Sequence, residues 1–223
     1  MAQGLFITGT DTGVGKTQVS LAVLHALRAR GERVVGMKPV ASGCTLTAAG
    51  WRNDDASALQ AASAPRPDYH LINPFALPDA TAPTIAAAHA GMTVSLAPIV
   101  AAYRGLADEA DRVVVEGVGG WLAPLGEGFE QADLVRALDL DVVLVVAMRL
   151  GCLNHARLTA RAIAGDGCRL VGWVANAVAE PPEFADEYFE SLRQALPVPC
   201  LGWLPFSPGS DPAVFAGRLV VPA

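Results

Sequence analysis

Charge is scarce in this chain: Asp, Glu, Lys and Arg make up 17% of its 223 residues, against a usual share of about 25%. Together with a hydrophobic share of 52%, that scarcity excludes intrinsic disorder, because such a chain can bury enough apolar surface to offset the entropy lost on ordering. Basic charge is scarcer still, with 16 Lys and Arg against 22 Asp and Glu, so the net charge is −6. The long-range field repels polyanions, which excludes electrostatically driven binding to nucleic acid or an anionic membrane but leaves room for a local cationic pocket. Cys44, Cys152, Cys168 and Cys200 form no C-x-x-C pair, so neither a zinc site nor a disulfide framework is indicated and reduced thiols are expected. Long apolar runs are missing too: Val142 to Met148 falls well short of the ~20 residues that cross a bilayer. Met1-Ala2-Gln3-Gly4 enters a strand-like run without the cationic start, apolar core or cleavage site of a secretory signal, so a cytoplasmic location is expected.

Strand-like runs that read as buried on both faces recur at Leu5 to Thr8, Val34 to Met37, Arg112 to Glu116, Val142 to Ala147, Leu170 to Ala175 and Cys200 to Leu204. Helical patterns run from about Lys16 to Arg30, Asp54 to Ala62, Leu96 to Ala110, Asp133 to Leu138, Leu153 to Ala164 and Pro182 to Leu196. This alternation predicts an α/β fold with a mostly parallel sheet and helices on both faces, since parallel neighbours need crossover connections. Neither a composition shift nor an internal repeat divides the chain, so a single domain over residues 1–223 is expected. The stretch from Ala64 to Pro83, rich in Pro, Asp and Asn, reads as a long irregular connection, and Pro205 to Ala223 as an extended tail packed on the domain.

The segment from Leu5 to Thr17 carries a buried strand, the turn Gly9-Thr10-Asp11-Thr12-Gly13-Val14-Gly15-Lys16-Thr17 and a helix start. That is the context of a P-loop. Successive N–H groups of Gly13, Val14 and Gly15 and the helix N-terminus can cradle phosphate oxygens, Lys16 can neutralise phosphate charge, and the Thr17 hydroxyl can hold Mg²⁺. The strict pattern has glycine five positions before Gly15, where this chain has Thr10 and places Gly9 one residue earlier. A structural Gly-rich turn is the bland alternative, but the coincidence of strand, Gly-Lys-Thr and helix favours a nucleotide site.

Arg112 to Glu116 is an apolar strand that ends in a carboxylate and continues into Gly117-Val118-Gly119-Gly120. Ligands of open α/β sheets sit beyond the carboxyl ends of the strands, so Glu116 and the phosphate loop should face one crevice; equally, such a carboxylate can be merely solvated. Lys38-Pro39-Val40-Ala41-Ser42-Gly43 leaves the next strand at the same edge, which would bring two lysines to one anion. Arg52-Asn53-Asp54-Asp55 opens a helix and offers either a metal carboxylate or a helix cap; Asp54 reads as the cap.

Taken together, these motifs resemble the dethiobiotin synthetase family, ATP-dependent carboxylases of biotin biosynthesis. The resemblance spans nearly the whole chain and continues through Val115 to Trp121, Leu150-Gly151-Cys152-Leu153-Asn154-His155-Ala156 and Gly172-Trp173-Val174-Ala175-Asn176. It implies a P-loop NTPase fold and an ATP-dependent cyclo-ligase acting on 7,8-diaminopelargonic acid and CO₂ with Mg²⁺. One amine adds CO₂ to give a carbamate, ATP phosphorylates the carbamate, and the second amine closes the ureido ring and expels phosphate. Lys16 and Lys38 would bracket the γ-phosphate as the catalytic pair; Thr17, Asp55 and Glu116 would coordinate Mg²⁺. Gly117, Val118 and Gly119 would border the nucleotide, Asn176 and Ala177 would read the adenine, and Pro205, Phe206 and Ser207 would form its other wall. Thr12, Lys38 and Ser42 would hold the diamine or its carbamate. The far carboxylate would rest on Gly151, Cys152, Leu153 and Asn154 of a second subunit, so a homodimer with shared active sites is implied. Cys152 reads as small packing and not as a nucleophile.

Two other ATP-using classes share parts of this pattern. Partitioning-type and iron-protein-type ATPase switches carry a further lysine where this chain has Asp11, and an acid cannot stabilise a phosphate across a dimer. Amidotransferase-type synthetases append a glutaminase domain, for which 223 residues leave no room.

Overall fold

Runs such as Val113-Val114-Val115 and Val142 to Val146 are fully buried, which requires cover on both faces of a sheet. The computed structural model, which describes residues 3–180 and 182–222, supplies that cover. Met1, Ala2 and Ala223, which the single-domain, leader and tail expectations include, lie outside the described residues.

Six strands build the central sheet: β1 (Gln3–Gly9), β2 (Val34–Met37), β3 (Arg112–Glu116), β4 (Asp141–Ala147), β5 (Arg169–Asn176) and β6 (Cys200–Leu204). Their order is β2-β3-β1-β4-β5-β6 and every neighbouring pair is parallel. The main helices are α1 (Lys16–Ala29), α2 (Asp54–Ala62), α3 (Leu96–Glu109), α4 (Gln131–Leu138), α5 (Cys152–Gly165) and α6 (Ala185–Ala195). All twelve elements match the expected ones, with ends moved by three residues or fewer.

Alternation along each strand sends successive side chains to opposite faces. Leu5, Ile7, Val114, Val143 and Val145 pack with α1 and α2. Phe6, Val113, Val115 and Val142 pack with α3 and α4 on the other side, where Leu144, Val146 and Trp173 meet α5 and α6.

Between Ala64 and Pro83 the expectation of an irregular connection is corrected. Tyr69–Ile72 forms a short helical turn, Phe75–Ala76 pairs in parallel with Val40–Ala41, and Pro83 opens a further helix that ends at His89. These pieces hold one or two turns or two residues, too little for a periodic signal. The tail packs on the domain but is not wholly extended: Pro212–Arg218 makes a 3-10 helix whose Phe215 is buried against the α1 face.

Candidate active site

The polypeptide crosses from β1 into α1 through the Gly-rich turn. Gly15 has φ +87°, in the left-handed region, and a Cβ there would stand 1.9 Å from Asn176 Nδ2. Only glycine meets both demands. The Asn176 side chain at the end of β5 is fully buried and donates to Val14 O at 2.9 Å, so it braces the turn from beneath. At Gly13 no atom lies within 4 Å of a Cβ, so this glycine leaves open space beside the loop.

Lys16 begins α1 and is buried, its Nζ donating to Gly119 O at 2.7 Å and to Asp11 O at 3.0 Å. Burial and then the charge of Lys38 push its pKa down to about 8, with Glu116, Asp55 and Asp11 opposing. Lys38 leaves the end of β2, where Met37 pairs with Val115, and this register sets it beside Glu116 at the end of β3. Its Nζ donates to Glu116 Oε1 at 2.5 Å, to Asp55 Oδ2 at 3.1 Å and to Gly117 O at 3.4 Å. Burial works against the Lys38 charge, but the two carboxylates outweigh it and raise the pKa above the ordinary lysine value. The opposite shifts of two lysines in one crevice separate their roles: one ammonium is compensated, the other is short of counter-charge.

Thr17 Oγ1 donates to the same Glu116 Oε1 at 2.9 Å. Glu116 Oε2 is buried without a hydrogen-bond partner among the described residues, an expensive state for a carboxylate oxygen unless a cation is to meet it. Two carboxylates and a hydroxyl, all oxygen donors, fit Mg²⁺, which takes few protein ligands and completes its shell with water and phosphate. Among the described residues no group of three or more His, Cys, Asp and Glu could hold a metal ion.

These groups line a cleft of about 780 Å³. It brings together Thr12, Gly13, Gly15, Lys16, Thr17, Lys38, Ser42, Asp55, Glu116, Val118 and Gly119 from the expected set. Val14 is buried beneath it and Gly117 borders a small void below. Asn176, Ala177, Pro205, Phe206 and Ser207 lie outside this lining but at the same sheet edge, where Ala177 N donates to Leu204 O at 2.9 Å. Gly151, Cys152, Leu153 and Asn154 also lie outside it, at the start of α5. Gly151 supplies no side-chain cap there, Cys152 is buried, and burial pushes its thiol pKa up.

The cap of α2 is Asn53, not Asp54: Asn53 Oδ1 accepts from Ala56 N at 3.2 Å while Asp54 is exposed in the first turn. An acid just inside the helix start is favourable through the helix dipole and needs no capping geometry. Sequence reasoning also missed three supports. Asn73 Nδ2 donates to Lys38 O at 2.7 Å, Gln131 holds the loop after β3, and Ala80 to Pro83 form one wall of the cleft. Buried Asn and Gln carry no local pattern; their signal is an amide inside an otherwise apolar neighbourhood.

Among the described residues no helix is long and apolar enough to cross a membrane. A family described as "AAA domain" matches residues 3–214. The chain is 59% identical over 217 residues to the ATP-dependent dethiobiotin synthetase BioD of Xanthomonas euvesicatoria pv. vesicatoria (strain 85-10), covering 97% of each. It is 59% identical over 215 residues to the protein of the same name from Xylella fastidiosa (strain 9a5c), covering 96% of this chain and 95% of the relative. Among solved structures, the MinD cell division protein of Aquifex aeolicus is similar with TM-score 0.55 and 16% identity, over 98% of this chain and 88% of that one. The signal recognition particle receptor FtsY of Elizabethkingia anophelis in complex with GDP is similar with TM-score 0.57 and 15% identity, over 91% of this chain and 57% of that one. These two likenesses concern the fold alone.

Proposed function

The chain belongs to the dethiobiotin synthetase family, and from that premise we propose how its cleft carries out the ATP-dependent closure of a ureido ring. The substrates are 7,8-diaminopelargonic acid, CO₂ and ATP. One amine nitrogen bonds to CO₂ and loses a proton, giving a carbamate. A carbamate oxygen attacks the γ-phosphorus and ADP departs. The second amine then attacks the activated carbonyl and loses a proton, the C–O bond to the phosphoryl group breaks, and phosphate leaves with the bridging oxygen and the bond's electron pair.

The observation that carries this reading is the placement of Lys38, 2.5 Å from Glu116 and 3.1 Å from Asp55 in the same cleft as Lys16. Phosphoryl transfer asks a protein for positioning and charge stabilisation, not covalent chemistry. Lys16, short of counter-charge, is suited to take up a phosphate oxygen in place of Gly119 O. Lys38 can turn from its two carboxylates to the transferring phosphate once those carboxylates have another cation. Thr17, Asp55 and Glu116 would hold Mg²⁺, which when bound neutralises phosphate charge. Ser42 and Thr12 line the diamine side, and Ser42 Oγ is a buried hydroxyl without a partner among the described residues. Asn176 Oδ1 is likewise unpartnered and buried, an acceptor suited to an adenine amino group, with Ala177 and Pro205 to Ser207 beside it.

In this reading two copies associate and the start of α5 serves the partner's cleft. Exposed Leu122 and Leu158, which line one surface groove, support it, since large apolar side chains grouped on a surface favour association; Leu150, just before α5, is 83% exposed. A cytoplasmic setting suits ATP and free thiols.

The test is phosphate release from MgATP with bicarbonate, with and without the diamine, and mass spectrometry of the product. Diamine-dependent release with a product heavier by CO₂ less water supports ring closure. Diamine-independent hydrolysis would overturn it.

A further inference from the structure

The loop Gly117 to Trp121 supplies Gly119 O to Lys16 and Gly117 O to Lys38, yet neither lysine accounts for where the loop stands. At its far end Trp121 is buried and its indole N–H donates to Asp166 Oδ2 at 2.6 Å. In the middle, one side chain touches both halves. Gln131, the first residue of α4, is fully buried; its Nε2 donates to Trp121 O at 3.1 Å and also to Gly120 O. Its Oε1 has no partner among the described residues and lies against Gly117, where a Cβ would come within 2.2 Å of it. The amide is thus wedged between the two ends of the loop, its donors spent on one half and its acceptor pressed on the other.

We propose that Gln131 is a positioning residue for phosphoryl transfer: by gripping Gly120 and Trp121 and abutting Gly117, it sets the loop carbonyls that aim Lys16 and Lys38. Gly117 is glycine for the same reason, because any side chain there would strike both the Gln131 amide and Phe6, 2.9 Å away. A buried amide is retained at such a position only where its hydrogen bonds are used. A loop displaced by about 1 Å costs up to a hundredfold in rate when it carries transition-state contacts. The inference rests on the reading of Lys16 and Lys38 as phosphate ligands.

The test compares Gln131→Met, which keeps length and bulk but removes both donors, with Gln131→Asn, which keeps the amide on a shorter stem, and with Lys16→Ala as reference. Steady-state kinetics and melting temperature are measured for each. The expected result is a kcat lowered about tenfold or more in Gln131→Met, partly restored in Gln131→Asn, with the KM for the diamine within twofold and melting temperatures within a few degrees. Should Gln131→Met not fold, Gln131→Leu, which also lacks the donors, takes its place in the comparison. Parental kcat in the folded Gln131 variants while Lys16→Ala is inactive overturns the role of Gln131 and leaves the lysines standing. Parental activity in Lys16→Ala overturns the underlying reading instead. A kcat loss that follows melting temperature and is equal in both Gln131 variants makes Gln131 a folding residue only, and also overturns the proposal.

Discussion

Both ends of the parallel sheet carry cation–carboxylate pairs, and the Arg–Asp pair at the starts of β2 and β3 and the Lys–Glu pair at the other ends of the same strands differ most in burial. At the amino ends, Arg33 meets Asp111 at 2.7 Å with side chains 60% and 47% exposed, and Arg169 meets Asp141 with Arg169 66% exposed. At the carboxyl ends, Lys38 meets Glu116 with 6% and 0% exposure. Water screens these two Arg–Asp pairs, so they hold little energy; Arg112 and Glu32 at the same end are more sheltered, at 12% and 25% exposure. The Lys38–Glu116 pair has lost its water and each of its charges depends on protein partners, while Asp55 beside it keeps 42% exposure and Arg149–Asp11 at the same edge stays open to solvent. The difference teaches what burial does to a charge: in the cleft an incoming anion or cation would be worth more than it would be in solvent.

The comparison is broken most directly at the lysines. Lys16→Ala and Lys38→Ala should each lower turnover by about 10³-fold or more, as removal of transition-state charge stabilisation does; steady-state kinetics checks this. The pair separates in stability. Lys38→Ala leaves Glu116 buried without its cation and should cost about 3–5 kcal/mol, whereas Lys16→Ala removes a charge the fold disfavours and should leave the melting temperature unchanged or raised. Glu116→Gln comes next, with turnover down about 10- to 100-fold and a higher Mg²⁺ requirement in metal titrations. Unchanged metal dependence would return Glu116 to a structural role.

A pH profile sharpens the contrast further. Lys16 is held down to about 8, so its charged form is lost as pH rises through that value, and kcat/KM for MgATP should fall above about pH 8. The same shift works oppositely on stability: the native state binds fewer protons than the unfolded chain between about 8 and the ordinary lysine value of 10.5, so stability gains across that window. The smallest effect belongs to the other end of the sheet. Arg33→Ala or Asp111→Asn should leave kcat unchanged and the melting temperature within a few degrees, and a large loss of activity from either would undo the distinction.

Much of this site was legible because strand, glycines, lysine and threonine follow one another in sequence within a single turn. Lys38, Glu116 and Asp55 were legible as strand-end and helix-start residues, but their mutual contact was not. β2 and β3 lie far apart in the chain, and nothing local says that Met37 will pair with Val115. The cap of α2 was misread because Asn and Asp are nearly equivalent as caps and stand side by side.

What the sequence determined by itself, then, was the alternation of buried strands and amphipathic helices and the Gly-rich turn between β1 and α1, since both follow from local periodicity and from backbone demands that only glycine meets. The tertiary structure alone decided which charges share a cleft, which lysine is compensated and which is not, and that Asn73, Gln131 and Asn176 hold the loops. Strand order and burial set those outcomes, and burial is a property of the packed chain as a whole.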